Sequence, residues 1–269
     1  MTLRIIGAFL RRNALIETSY RMQLALTLCG ILASITTFYF VAQLVDRHVL
    51  PLRAAYGSDY FAFVLVGLAC AQYSSVAMYG LAGHLRQEQM QGTLETMLAH
   101  PVRLRDVVVG LPAWEFCWAT MQLVLYVCLG VALFHCDLSR ANWTAAALVL
   151  VASLMVFFAL GLISAACVLF FKRGNPIQWV LNTAFTLLGG VYFPVTLLPT
   201  PLATVAQALP ITHVLHGLRR ALLAGESLTA MMTSLGAILA FGLVLLPLGA
   251  WSLVTALRHA RRRGSLLTY

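Results

Sequence analysis

Charged side chains are scarce in this sequence. Lys and Arg together number 18 and Asp and Glu nine, so that charged residues make up 10% of the 269-residue chain, against about 25% in an ordinary soluble protein. Hydrophobic residues make up 61%, which excludes a disordered chain and a collagen-like repeat. The composition therefore predicts an all-α integral membrane protein that crosses the bilayer several times.

Lysine is almost absent, since Lys172 is the only one among 18 basic residues. A phosphate-binding P-loop of the form GxxxxGK[ST] needs a Lys followed by Ser or Thr, whereas Lys172 is followed by Arg173. The sequence also lacks HExxH, a GxSxG-like serine and a pair of Asp residues within one apolar run. We therefore expect that this chain is not itself an enzyme, and that a partner supplies any energy from ATP.

Metal-binding patterns are missing as well. The six cysteines stand singly, without CxxC spacing or a disulfide-framework pattern, and buried structural thiols explain them. His213 and His216 form an H-x-x-H without a nearby acid or Cys. We therefore expect no metal site.

Long charge-free windows locate the membrane spans, because about 20 apolar residues are needed to cross the hydrocarbon core. The windows predict one transmembrane domain over residues 1–269 with six transmembrane helices, placed at 24–45, 60–82, 112–134, 143–171, 177–193 and 231–257. Between the last two spans, residues 194–224 are apolar but contain four prolines, which exclude one continuous helix. They predict a re-entrant helical hairpin, provided that protein covers its breaks.

Basic residues orient the chain. We assign 13 of them to the side of the termini and five to the opposite side, namely Arg47, Arg53, Arg140, Arg219 and Arg220. The positive-inside rule then places both termini in the cytoplasm, and nucleic acid is not needed to explain the net charge of +9. Residues 1–21 predict an amphipathic helix on the cytoplasmic membrane surface with its arginines at lipid phosphates, unless they simply continue the first span.

The connection between the second and third spans, residues 84–106, reads HLRQEQMQGTLETMLAHPVRLRD. Gly92 is expected to break the helix that leaves the membrane, and Thr93 can cap a new short helix. One face of that helix is apolar and consists of Leu94, Met97 and Leu98. Such a helix fits either a groove on another protein or the headgroup layer, and the residues alone favour neither.

Two segments resemble one family. The string EQMQGTLETMLAHPVR is similar to the E-x-x-x-G-T-L-E-x-L-L-x-x-P segment of bacterial ABC-2-type exporter permeases. The stretch YFPVTLLPTPLATVAQALPITHVLHGLRRALL resembles the segment after the fifth span of the same family. The similarity covers nearly the whole chain but says little about what is exported.

The resemblance implies a permease subunit that pairs with a second permease copy, as a homodimer or a heterodimer, in the bacterial inner membrane. Each copy would bind one cytoplasmic P-loop ATPase, which would hold ATP and Mg²⁺, while this chain would bind no cofactor. The 84–106 loop would carry the coupling helix that receives the movement of the ATPase, with Glu88 and Glu95 meeting basic residues there. The implied coupling residues are Glu88, Gly92, Thr93, Leu94, Glu95, Met97, Leu98 and Pro101.

Four residues are candidates for the pathway or for substrate contact. Glu115 is the only acid within a predicted span region. It either handles substrate or protons, or it lies near the cytoplasmic end, where it faces water or pairs with Arg103 or Arg105. Arg219 and Arg220 either attract an anionic headgroup or glycan or snorkel to lipid phosphate, and Tyr192 ends the fifth span. The resemblance also implies that the first and fifth spans line the dimer interface and pathway. Glycines 189 and 190 would allow close backbone approach there, unless they merely loosen the helix ahead of Pro194.

The sequence therefore predicts the transmembrane subunit of an ATP-driven exporter that moves a hydrophobic, lipid-like, glycan-linked or drug-like substrate outward by alternating access. A stand-alone channel or secondary carrier is the alternative. Coupling ions usually need intramembrane acids, and the predicted spans offer only Glu115.

Overall fold

The structure is a computed structural model that describes residues 2–44, 59–92, 104–171 and 176–262. These residues form helices and turns and contain no strand. The helices are α1 (Thr2–Ser19), α2 (Arg21–Leu44), α3 (Tyr60–Met90), α4 (Leu104–Phe134), α5 (Trp143–Phe171), α6 (Pro176–Leu187), α7 (Thr200–Gln207), α8 (Pro210–Leu222) and α9 (Met232–Arg262). The all-α prediction is confirmed for this part of the chain.

Five of these helices, α2, α3, α4, α5 and α9, are long and apolar enough to cross a membrane. A helix suits the hydrocarbon core because it satisfies its backbone hydrogen bonds internally. Four of the five extend beyond the predicted spans: α2 begins at Arg21, α3 continues to Met90, α4 begins at Leu104 and α9 reaches Arg262. These helices thus continue beyond the apolar windows from which the spans were predicted.

The helix predicted over 177–193 is shorter than expected. α6 has 12 residues and ends at Leu187, which gives a length of about 18 Å. Gly190 follows with a φ of +84°, a left-handed conformation that ends helices. The extent of the predicted helix was therefore wrong, and a sixth crossing by this segment stays a prediction.

After α6 the chain forms a turn at 188–194, a 3₁₀ turn at Val195–Leu197, and the short helices α7 and α8. Pro201 and Pro210 lie in the first turns of α7 and α8, where the missing N–H costs no helical hydrogen bond. We call α7 and α8 together the hairpin. Two short helices therefore replace one long helix here, while their depth in the membrane stays a prediction.

α3 is the most buried of the five long helices and α2 the least. α3 packs against α4, α5, α8, α2 and α6, whereas α5 pairs mainly with α9. Close approach of α5 and α9 depends on Gly249, because a Cβ there would lie 2.7 Å from the Ala159 carbonyl oxygen. We name the two ends of α3 for what lies beside them: its last turns face α1 (the α1 end), and its first turns face α8 (the hairpin end).

Candidate functional site

An ion pair joins α1 to the last turn of α3. Arg12 Nη2 lies 2.7 Å from Glu88 Oε1, and the side chain of Glu88 is 5% exposed while that of Arg12 is 45% exposed. Beside it, Asn13 Nδ2 donates a 3.4 Å hydrogen bond to the Leu111 carbonyl oxygen of α4. α1 therefore contacts both helices that flank the segment 93–103.

This contact corrects the expectation for Glu88. The resemblance implied that Glu88 would meet basic residues of an ATPase, but its carboxylate is buried and faces Arg12 of the same chain. The reason is that α3 continues to Met90, which places Glu88 within the helix bundle. Glu88 thus holds α1 against the α1 end of α3 from a buried position within the bundle.

The end of α3 agrees with the expected helix break. Gln91 N–H donates to the Gln87 carbonyl oxygen at 3.0 Å, and Gly92 is exposed with a φ of +70°. The other residues expected in the coupling segment lie outside the described residues: Thr93, Leu94, Glu95, Met97, Leu98 and Pro101. The part of the chain that the structure describes here therefore ends at Gly92, directly before the predicted coupling helix.

Glu115 of α4 has a partner on α3. His84 Nε2 lies 2.9 Å from Glu115 Oε1, and the two side chains are 18% and 15% exposed. Gly80 provides the space, because a Cβ there would lie 2.6 Å from Glu115 Cγ. The sequence analysis considered a functional role, contact with water or an arginine partner, and it overlooked His84. The signal was that Gly80, His84 and Glu88 recur every four residues on one helix face.

The polar contacts between α3 and α4 continue into the apolar part of the bundle. Gln72 Nε2 donates to Gln122 Oε1 at 3.3 Å. This pair is neutral, and Gln122 is buried. The contacts of α3 with its neighbours thus involve ionisable side chains at the α1 end and a neutral amide pair nearer the middle of the helix.

Arg219 of α8 is the central residue of the hairpin end. Its Nε and Nη2 donate to the Phe63 carbonyl oxygen at 3.2 and 3.0 Å, Nη1 donates to Gly190 O at 2.8 Å, and Nη2 donates to Val191 O at 3.1 Å. The guanidinium also lies 3.3 Å from the centroid of the Phe63 ring. Gly67 leaves room for this arrangement.

This position overturns the expectation that Arg219 attracts a headgroup or snorkels to lipid. Arg219 is 3% exposed, and its guanidinium contacts backbone carbonyls of α3 and of the turn after α6. Phe63 and Gly67 were not singled out from the sequence. Nothing in their local pattern marks them, because Phe63 and Arg219 are 156 positions apart.

Arg220, the next residue, forms an ion pair with Glu226. Both side chains are partly exposed, at 22% and 28%. Glu226 follows the end of α8, so the pair closes a local loop. In this conformation Arg220 is engaged within the chain and does not stand free for a headgroup.

The connection between α4 and α5 packs onto the end of α8. Asn142 N–H donates to the Ala221 carbonyl oxygen at 2.8 Å, and Asn142 Oδ1 accepts from the Ala145 N–H at 3.1 Å as the N-cap of α5. In the same loop, hydrogen bonds from Ser139 lower the pKa of Asp137, and burial raises the pKa of Cys136 to about 11. This loop and the hairpin therefore form one packed layer.

The remaining candidates also lie at the hairpin end. Tyr192 stacks on Phe38 of α2, with 5.1 Å between ring centroids. Gly189 and Gly190 lie in the turn after α6, where a Cβ on Gly189 would lie 2.5 Å from Ile211 Cγ2 of α8. These glycines thus allow close approach within one chain, while a role for them at a subunit interface stays a prediction.

The two histidines of α8 have separate contacts. His213 Nε2 donates to the Gln207 carbonyl oxygen at 2.9 Å, and His216 Nδ1 lies 3.2 Å from Ser234 Oγ. Within the described ranges no group of three His, Cys, Asp or Glu side chains is placed to hold a metal ion. The H-x-x-H spacing therefore reflects packing of α8.

Replacing Arg12 by Ala is expected to destabilise the protein by about 1–3 kcal/mol, because the buried Glu88 carboxylate loses its charged partner. The adjacent, exposed Arg11 offers a matched control, and Arg11→Ala should change the free energy of unfolding by less than about 0.5 kcal/mol. Denaturant unfolding of the purified protein in detergent measures both. Equal losses in the two variants would contradict the assigned role of the Arg12–Glu88 pair.

Comparison with known proteins covers most of the chain. Residues 6–223 match the family described as ABC-2 type transporter. The chain is 25% identical over 227 residues to "Inner membrane transport permease YadH" of Escherichia coli (strain K12), covering 84% of this chain and 86% of that protein. It is 26% identical over 189 residues to "Nodulation protein J" of Rhizobium leguminosarum bv. trifolii, covering 68% and 69%. The family match extends from α1 through α8 and so includes both ends of α3.

Proposed function

The chain belongs to the ABC-2 type transporter family, and from this premise we propose that it is the permease subunit of an ATP-driven exporter. Family membership and the five apolar helices make it a transmembrane transporter subunit. The finer proposal is that a separate cytoplasmic P-loop ATPase drives it and that its substrate moves outward. The similarity to an inner membrane transport permease supports a place in the bacterial inner membrane. The uneven distribution of basic residues supports both termini in the cytoplasm.

The observation that carries the proposal is the Arg12–Glu88 contact at the α1 end. Glu88 lies four residues before Gly92, where the segment expected to contact the ATPase begins. A displacement of that segment would act directly on α3, on α1 through Arg12, and on α4 through Asn13. One contact point would thus move three helices together, as alternating access requires.

A second permease copy is proposed to cover the exposed faces of α2 and α6. Met22, Leu26 and Phe40 of α2 are exposed in the single chain, as are Trp179 and Val180 of α6. Both helices pack on α3, and the Phe38–Tyr192 stack brings α2 to the turn after α6. These neighbouring apolar faces support a shared interface and pathway, either in a homodimer or in a heterodimer.

The composition of α2 and α6 supports a substrate without charge along most of its length. Residues 22–44 and 176–187 contain no Asp, Glu, Lys or Arg, and their polar side-chain groups are neutral. Arg219 is buried within the chain and does not reach these faces. We therefore propose a hydrophobic, lipid-like, glycan-linked or drug-like substrate.

The scarcity of acids in the predicted spans, where Glu115 stands alone, favours ATP over an ion gradient as the source of energy. A secondary carrier needs acids that exchange a coupling ion within the membrane. Glu115 is engaged by His84, and the Gly80 backbone fits closely against its methylene groups. A structural role at the α3–α4 contact accounts for this carboxylate.

Affinity purification from native membranes tests the proposed function. A tagged chain should recover a P-loop ATPase, and inverted vesicles that contain the complex should accumulate substrate only when ATP is supplied. A mock purification without the tagged chain controls for contaminating ATPases. Recovery of the chain without any ATPase, together with transport that survives ATP depletion, would favour a channel or secondary carrier instead.

A further inference from the structure

α3 is one continuous helix that connects the two ends of the bundle. It contains 31 residues and is therefore about 46 Å long. Glu88 lies in its last turns, beside the start of the segment expected to contact the ATPase, and Phe63 lies in its first turn. Because an unbroken helix packed on several neighbours moves as a rod, a displacement at one end reaches the other.

At the hairpin end, Arg219 joins three separate parts of the chain. Its guanidinium links α8 to the Phe63 carbonyl oxygen of α3 and to the carbonyl oxygens of Gly190 and Val191 in the turn after α6. The turn carbonyls have no intrahelical donors, so Arg219 satisfies buried backbone acceptors that would otherwise be costly. The Arg219 side chain therefore connects α3 to the hairpin.

The surroundings of Arg219 are shaped to admit a guanidinium. A Cβ on Gly67 would lie 2.3 Å from the Val191 carbonyl oxygen and 2.8 Å from Arg219 Nη2. The planar fork of arginine reaches several acceptors at once while stacking on the Phe63 ring, which a lysine ammonium cannot do. The contact is thus specific to arginine.

We propose that Arg219 is the positioning residue that makes the hairpin move together with α3, an inference that rests on the proposed coupling to an ATPase. A displacement of α3 imposed near Gly92 passes along the helix to Phe63, and through Arg219 to α8 and to the turn after α6. Since α8 also holds the 135–142 connection through Asn142, the whole layer at the hairpin end moves with α3. The hairpin end therefore opens or closes in step with ATP hydrolysis.

The test compares Arg219→Lys with Arg220→Lys in the complete transporter complex reconstituted in lipid. Loss of the multiple carbonyl contacts in Arg219→Lys should speed amide hydrogen exchange of residues 188–222 by about tenfold or more, because local opening becomes easier. ATP hydrolysis should change by less than about twofold while transport falls by about tenfold, which is an uncoupled phenotype. Arg220→Lys keeps its ion pair with Glu226 and should leave all three readouts near wild type.

Two results would overturn the proposal. Unchanged exchange of residues 188–222 in Arg219→Lys would mean that Arg219 does not position the hairpin. Faster exchange with fully coupled transport would mean that the hairpin does not carry the movement. If Arg219→Lys does not fold, Phe63→Leu removes the ring beneath the guanidinium but retains the carbonyl acceptor, and it should produce a weaker form of the same phenotype.

The readouts also separate this proposal from the proposed function. Hydrogen exchange is measured on the permease whether or not an ATPase binds, so it tests the positioning role directly. Failure of wild type to associate with any ATPase would contradict the proposed function. It would also remove the transmission role, while the exchange result would still decide whether Arg219 holds the hairpin.

Discussion

Aspartate at both Leu94 and Leu98 is expected to abolish coupling to the ATPase while the permease still folds and inserts. The two leucines stand at i and i+4 of the predicted coupling helix and would share its apolar face. Burying each leucine in a partner stabilises the contact by about 1.5–3 kcal/mol, so losing both should weaken binding by about 100-fold or more. ATPase recovered by affinity purification and ATP hydrolysis stimulated by the permease measure the effect.

Thr96→Asp with His100→Asp provides the matched control. These positions are also four residues apart, but they lie on the opposite side of the helical wheel from Leu94 and Leu98. The control adds the same charges to the same segment and should retain most of the stimulation. Equal losses in both double variants would show that added negative charge, and not the apolar face, explains the effect, and normal coupling in Leu94→Asp with Leu98→Asp would contradict the assignment of the coupling helix.

Alanine at Gly67 is expected to be strongly destabilising, although it adds only one methyl group. Its Cβ would lie 2.3 Å from the Val191 carbonyl oxygen, and the obstructing atom belongs to backbone that Arg219 holds in place. Relief of the clash must separate α3 from the turn after α6 or displace Arg219 from its carbonyl acceptors. We expect a loss of about 3 kcal/mol or more in the free energy of unfolding, at the upper end for overpacking.

Gly236→Ala is the control for this substitution. Gly236 lies in α9, and nothing approaches within 4 Å of a Cβ added there. Alanine at an open helical position should leave stability unchanged or raise it by about 0.5–1 kcal/mol. Denaturant unfolding in detergent compares both variants with wild type, and a Gly67→Ala protein as stable as Gly236→Ala would refute the close packing of α3 on the turn.

Much of the helical architecture follows from the sequence because it depends on local composition. The window without charges that ends near residue 171 predicts α5, and the helix begins at Trp143 and ends at Phe171. Gly92 was expected to break a helix, and it adopts a φ of +70° two residues after the end of α3. The family was also accessible, because its motifs are short contiguous strings.

The partners of the ionisable residues were not predictable in the same way. Glu88 contacts Arg12 across 76 positions, and Arg219 contacts Phe63 across 156. For Glu115 the sequence suggested arginines of the adjacent loop, whereas the side chain of His84 reaches it from the neighbouring helix. Proximity in sequence is a poor guide here, because helices adjacent in a bundle bring together residues that are far apart in the chain.

The sequence by itself determined that the chain is a membrane protein, where most of its long helices lie, and that it lacks a P-loop. Scarce charge and long apolar runs decide these points, because the hydrocarbon core accepts little else. Only the tertiary structure decided what the few remaining charges do. It buried Glu88 against Arg12 and enclosed Arg219 among backbone carbonyls, because a charge within an apolar bundle is stable only when a specific neighbour from another helix or turn meets it.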